Sequence, residues 1–172
     1  GKEAFMRLKI VAAVAVLLLC GVGRATGQAP HHVVVHAGHL LDVKSGKMLS
    51  DQTLVVEDGK IVSSGASADV KIPTDAVRIE LANATVLPGF IDTHTHITMD
   101  PKFGYETLAL STSRQALTGA KNARLTLLAG FTTVRNVGAK DFSDVALRDA
   151  INAGDVPGPR MLVSGPPLSI TG

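Results

Sequence analysis

At 172 residues, with 45% apolar and 19% charged residues, the chain has the composition of an ordinary folded domain and is too short for two large ones. A net charge of +2, no Trp and only six Phe and Tyr exclude the dense basic patch with stacking aromatics of a nucleic-acid binder. A single cysteine, Cys20, excludes an intramolecular disulfide framework and any multi-cysteine metal cluster.

Arg7 and Lys9 precede an unbroken apolar run from Ile10 to Cys20, which closes on Gly21-Val-Gly23. Eleven apolar residues fall short of the roughly 20 that a helix needs to cross a bilayer, so the run reads as the core of a signal peptide. Ala25 and Gly27 place small residues before a cut ahead of Gln28, and residues 1–5, upstream of Met6, read as leading sequence. Export to the periplasm or the medium is the expected localisation. Cleavage takes away Lys2, Arg7, Lys9, Arg24 and Glu3 and leaves 13 basic against 14 acidic residues. The remaining chain then has no electrostatic attraction for nucleic acid or an anionic membrane.

Residues 28–86 read as a small β-sandwich or meander. Short β-branched runs at 33–37, 40–43, 53–57, 60–63 and 77–81 are separated by turn chemistry at Lys44-Ser-Gly46, Asp58-Gly59 and Asn83-Ala84. Asp58-Gly59 is the strongest hairpin signal, because both residue types tolerate the positive φ of a two-residue turn.

From residue 85 the pattern changes to strand, helix, strand, helix, strand, as in βα units on a parallel sheet. A strand follows Pro88-Gly89 and carries Phe90-Ile-Asp-Thr-His-Thr-His96. A helix is expected over 105–129, with Thr112, Ala116, Ala120, Ala123 and Leu127 on its buried side and Gly130 as its stop. A second strand covers 131–137. A second helix, capped by Ser143 or Asp141, buries Ala146, Leu147, Ala150 and Ile151 and stops at Gly154. A third strand spans 160–164.

Alternation along the first of these strands puts Asp92, His94 and His96 on one face. Two imidazoles at adjacent same-face positions can converge on one metal ion, and Asp92 can orient one of them. The C-terminal end of a parallel strand is where barrel enzymes place their chemistry. Arg135, near the end of the second strand, is a candidate grip for a substrate carboxylate, and Tyr105 a candidate pocket residue. His36 and His39, in the β-rich segment, are read as hydrogen-bonding or solvated, and His31 and His32 as part of a loose terminus. Ser164 lacks the Gly-x-Ser-x-Gly elbow of a hydrolase nucleophile.

The string Leu87-Pro-Gly-Phe-Ile-Asp-Thr-His-Thr-His96 resembles the opening of the amidohydrolase superfamily. Ala129-Gly-Phe-Thr-Thr-Val-Arg-Asn-Val-Gly138 and Gly158-Pro-Arg-Met-Leu-Val-Ser-Gly165 are similar to its imidazolonepropionase-like and Xaa-Pro-dipeptidase-like branch. The resemblance implies a (β/α)8 TIM barrel, preceded here by the β-sandwich segment and the signal peptide. It also implies one or two divalent ions, zinc by expectation, held in part by His94 and His96, and hydrolysis of a C–N bond in a small-molecule substrate such as a dipeptide or cyclic amide.

Only the first strands of such a barrel fit between 87 and 172, so the resemblance implies an amino-terminal fragment that is inactive alone, with the other ligands and the catalytic base outside the chain. Homo-oligomers are compatible with this reading. Two alternatives stay open on the residues: a deaminase using the same histidines, and a non-catalytic secreted β-rich binding module or metal-binding remnant.

Overall fold

The computed structural model describes residues 31–100, 109–168 and 170. The expected signal peptide lies outside the described residues. Among them, no helix is long and apolar enough to cross a membrane. The chain divides into two compact units between Val86 and Leu87.

The first unit is one four-stranded sheet built from β1 (His32–Asp42), β2 (Lys47–Glu57), β3 (Lys60–Ala66) and β4 (Val77–Val86), in the order β3-β2-β1-β4. β1 pairs antiparallel with β2, β2 antiparallel with β3, and β1 parallel with β4. Two of the three expected turns form, the Asp58-Gly59 hairpin among them. Gly46 at φ 69° donates its N–H to the Asp42 carbonyl at 2.8 Å, and Asp58 and Gly59 take φ of 48° and 75°, the mirror-image turn that matches strand twist.

Three expectations for this segment change. The described residues make a single sheet rather than two facing sheets, and Ile61, Val62, Val77 and Ile79 stay exposed on it. The runs at 33–37 and 40–43 are one continuous strand, because Gly38 lets β1 pass the β4 backbone through a register shift between Ala37 and His39. A Cβ at Gly38 would overlap the Ala82 carbonyl oxygen. Asn83-Ala84 is not a turn but lies inside β4, at the β1–β4 register shift opposite Gly38, and the strand continues past it to Thr85, which pairs with His39.

The second unit is a three-stranded parallel sheet, β5 (Phe90–Thr95), β6 (Phe131–Asn136) and β7 (Arg160–Val163), in sequential order. α1 (Thr112–Leu128) connects β5 to β6, and α2 (Ser143–Ala153) connects β6 to β7. Repeated βαβ crossovers of this kind are how a (β/α)8 barrel begins. The core is Ile97, Ala123, Val134, Leu147 and Met161, with Phe131, Ile151 and Val163 packed against it.

α1 starts later than the spacing suggests, at Thr112, because Ser111 caps it with its hydroxyl accepting from the Arg114 N–H at 3.2 Å. Its buried ridge is Gln115, Gly119 and Ala123, largely one position off the small-residue stripe read from the sequence. Gly119 accounts for the offset: Leu147 and Thr98 side chains approach to within 2.9 and 3.0 Å of where its Cβ would be, so the helix turns its smallest residue to the closest contact. α2 is capped by neither Ser143 nor Asp141. Ser143 is its first residue, and Asp141 and Phe142 before it take left-handed φ of 48° and 58°. Asp141 instead accepts a hydrogen bond from the Thr112 hydroxyl at 2.6 Å. Gly154 ends α2 at φ 80°, as expected.

Candidate metal centre

Pro88-Gly89 leads into β5 with little room, since a Cβ on Gly89 would overlap the Thr132 side chain. The β5–β6 register slips between Asp92 and Thr95, so the histidine segment is bulged rather than a regular strand end. Asp92 supports the bulge: its carboxylate accepts the backbone N–H of His94 at 3.0 Å. It therefore orients His94 through the main chain rather than through the imidazole.

The rings of His94 and His96 lie side by side, with centroids 5.5 Å apart and planes at 74°. Both residues are exposed, and neither is covered by the helices. The His96 Nδ1 lies 3.3 Å from the Gly138 carbonyl oxygen. With Nδ1–H donating there, Nε2 keeps its lone pair for a metal.

That carbonyl is itself held by residues the motif does not reveal. Asn136 is wholly buried; its amide oxygen accepts from the Ile97 N–H at 2.7 Å, and its amide nitrogen donates to the Gly138 carbonyl and to Asp144 Oδ2, both at 3.1 Å. Asp144, also wholly buried, accepts in addition from the Gly165 N–H at 3.2 Å and the Val145 N–H at 2.9 Å. On α1, Asn122 donates to the carbonyls of Ile97 and Met99 at 2.9 and 3.0 Å, which fixes the chain leaving His96. Buried polar groups fully satisfied in this way rigidify their surroundings. The available signal was the polar Asn136 ending a β-branched run. Its partners are 39 and 8 residues away in sequence, at Ile97 and Asp144, and no local pattern names them.

A cavity of about 380 Å³ opens beside His96, lined among others by Met99, Asp100, Gln115, Lys140 and Pro167. This is within the range of small-molecule sites. Arg135 is exposed, and its Nε donates to the Thr93 carbonyl at 2.7 Å, tying β6 to β5. Tyr105 lies outside the described residues. Ser164 hydrogen-bonds only weakly to the Gly165 carbonyl, at 3.3 Å.

The histidines of the first unit are not loose. His36 has both ring nitrogens engaged, with Glu80 at 2.8 Å and Asp51 at 2.9 Å, while His39 is exposed. His32 belongs to β1 and His31 pairs with Asp58, so the expected loose terminus is instead an ordered strand entry.

Two neutral imidazoles fit a divalent ion as half of a tetrahedral set. Among the described residues, no third ligating side chain joins His94 and His96; the one group of three lies in the first unit.

Residues 85–171 match the Amidohydrolase family. The chain belongs to that family. It is 45% identical to enamidase of Eubacterium barkeri over 56 residues, covering 33% of this chain and 14% of the enamidase. It is 42% identical to imidazolonepropionase of Micrococcus luteus over 55 residues, 32% of this chain and 13% of that protein. Among solved structures it is similar to a Xaa-Pro dipeptidase with methionine bound in its active site, with a TM-score of 0.69 and 31% identity over 78% of this chain and 33% of the dipeptidase. The chain thus spans about a third of that structural relative.

Proposed function

We propose that the chain supplies the first metal ligands, His94 and His96, of a metal-dependent enzyme that hydrolyses a C–N bond in a small amide or dipeptide. The observation that carries this is the pairing of the two rings at the end of β5, with the His96 Nδ1 committed to the Gly138 carbonyl. A divalent ion, zinc in this reading, would polarise the scissile carbonyl and lower the pKa of the attacking water. His96 presents Nε2, and the Asp144–Asn136–Gly138 chain holds its ring at a set angle. Asp92 holds the backbone that carries His94. The cavity beside His96 admits a small substrate. Arg135 does not line that cavity; exposed on β6 with its Nε on the Thr93 carbonyl, it is the candidate partner for a substrate carboxylate through its remaining nitrogens.

In this reading, the other ligands and the group that moves the proton to the leaving nitrogen belong to later strands of the barrel. The names of the relatives support C–N chemistry, since enamidase and imidazolonepropionase are both among them. The reading extends to export of the protein, supported by the apolar run from Ile10 to Cys20 and the small residues Ala25 and Gly27.

The test is elemental analysis of the full-length enzyme. His94→Ala and His96→Ala are each expected to lower bound metal, and an unchanged metal content in both overturns the assignment. Amino-terminal sequencing of exported protein is expected to begin at Gln28, and a start at or before Met6 refutes cleavage.

A further inference from the structure

The first unit holds a second cluster of ligating side chains, independent of the one on β5. The register of β1 with β2 sets His32 opposite Glu57, at the end of the sheet where the tight Asp58-Gly59 turn fixes the backbone. His31 lies immediately before β1, outside its alternation, and its ring lies against that of His32, with centroids 4.4 Å apart and planes at 57°. The two Nε2 atoms face the same carboxylate oxygen: His31 Nε2 is 3.3 Å and His32 Nε2 is 3.8 Å from Glu57 Oε1. One ligand atom from each of the three residues lies within 4.8 Å of the others.

The opposite side of each ring is committed to a further carboxylate. His31 Nδ1 is 2.7 Å from Asp58 Oδ1, and His32 Nδ1 is 2.9 Å from Asp75 Oδ2. With a metal ion in place of the Nε2 proton, a carboxylate at Nδ1 selects the tautomer that donates there, leaves the Nε2 lone pair to the ion and raises the basicity of that nitrogen. For tetrahedral zinc with bonds of about 2.0–2.1 Å, ligand atoms sit roughly 3.4 Å apart. The His31–Glu57 separation already matches this edge, and the His32–Glu57 separation exceeds it by a fraction of an ångström. Glu57, Asp58 and Asp75 together offset the charge of a divalent ion, and imidazole with carboxylate is a donor set suited to zinc and its neighbours rather than to calcium or magnesium.

We propose that His31, His32 and Glu57 form a second divalent-metal site, for zinc, in which Asp58 and Asp75 orient the two imidazoles and a fourth position stays open to solvent. Such an ion would tie the entry of β1 to the end of β2 and, through Asp75, to the segment leading into β4.

Cobalt(II) titration reads the site, because its visible bands report tetrahedral nitrogen and oxygen coordination. In the full chain carrying His94→Ala and His96→Ala, one equivalent of Co2+ is expected to bind and to be displaced by Zn2+. Adding His31→Ala and His32→Ala is expected to abolish that equivalent. The isosteric Glu57→Gln is expected to weaken it, and Asp75→Asn to weaken it by about 10- to 100-fold, with the far-ultraviolet circular dichroism of the sheet retained. Where the background substitutions prevent folding, the same comparison is made with His94 and His96 intact by counting equivalents, which should fall by one. The proposal is overturned if no Co2+ binds in the background chain, or if the count and affinity do not change on substituting His31 and His32.

Discussion

Asn136→Ala is the most informative single change, because one side chain links the core to the candidate metal centre. The substitution removes three hydrogen bonds: the one accepted from the Ile97 N–H and those donated to the Gly138 carbonyl and the Asp144 carboxylate. Each neutral bond contributes about 1 kcal/mol net and the bond to the carboxylate about 1.5–3 kcal/mol, with about 1 kcal/mol more for the cavity left behind. The expected loss is about 4–6 kcal/mol, a large part of the stability of a typical domain. Val134→Ala, equally buried two residues earlier on β6, removes only packing and should cost about 2 kcal/mol.

The two variants should also separate in metal binding. With Gly138 no longer anchored, the His96 ring loses its fixed orientation, so Asn136→Ala should weaken metal affinity by about 10- to 100-fold, whereas Val134→Ala should leave it unchanged. Urea unfolding followed by circular dichroism measures the first quantity, and competition against a chromophoric chelator the second. If Asn136→Ala costs no more than Val134→Ala and holds metal as tightly as the parent, the buried network does not position His96.

Gly38→Ala should destabilise the four-stranded sheet by about 1–3 kcal/mol or more, because its Cβ meets the Ala82 backbone carbonyl, which cannot rotate away; an unchanged urea midpoint would refute this contact. The His36 pKa is raised above 6.5 by its hydrogen bonds to Asp51 and Glu80, and the Asp51 pKa is lowered below 3.8 chiefly by His36. The His36 contribution is complete below pH 6.5 and fades as pH rises through the raised value, while that of Asp51 is complete above pH 3.8 and fades on acidification. Melting temperature measured against pH should therefore fall above pH 6.5 more steeply in the parent than in His36→Gln, and parallel curves would contradict it. Asp92→Ala, which frees the His94 N–H, should reduce metal content without unfolding the chain; full metal content by elemental analysis would show that the bulge needs no side-chain support.

Local chemistry alone determined much of this molecule. The Asp58-Gly59 hairpin, the glycine stop at Gly154, the change from strand runs to βα alternation and the His94-x-His96 pair are each set by residues a few positions apart, so they are visible in the chain itself. What depends on distant neighbours is not visible there. Asn83 lies inside a strand because β1 pairs with the residues on either side of it, at Leu81 and Thr85, and Gly119 rather than Ala120 takes the closest helix contact because the Leu147 and Thr98 side chains come nearest at that point. The Asn136–Asp144 support of His96 and the meeting of His31, His32 and Glu57 likewise arise only once strand register and crossovers bring them together. A buried polar side chain is chosen by the groups it must satisfy, and those groups have no position until the chain has folded.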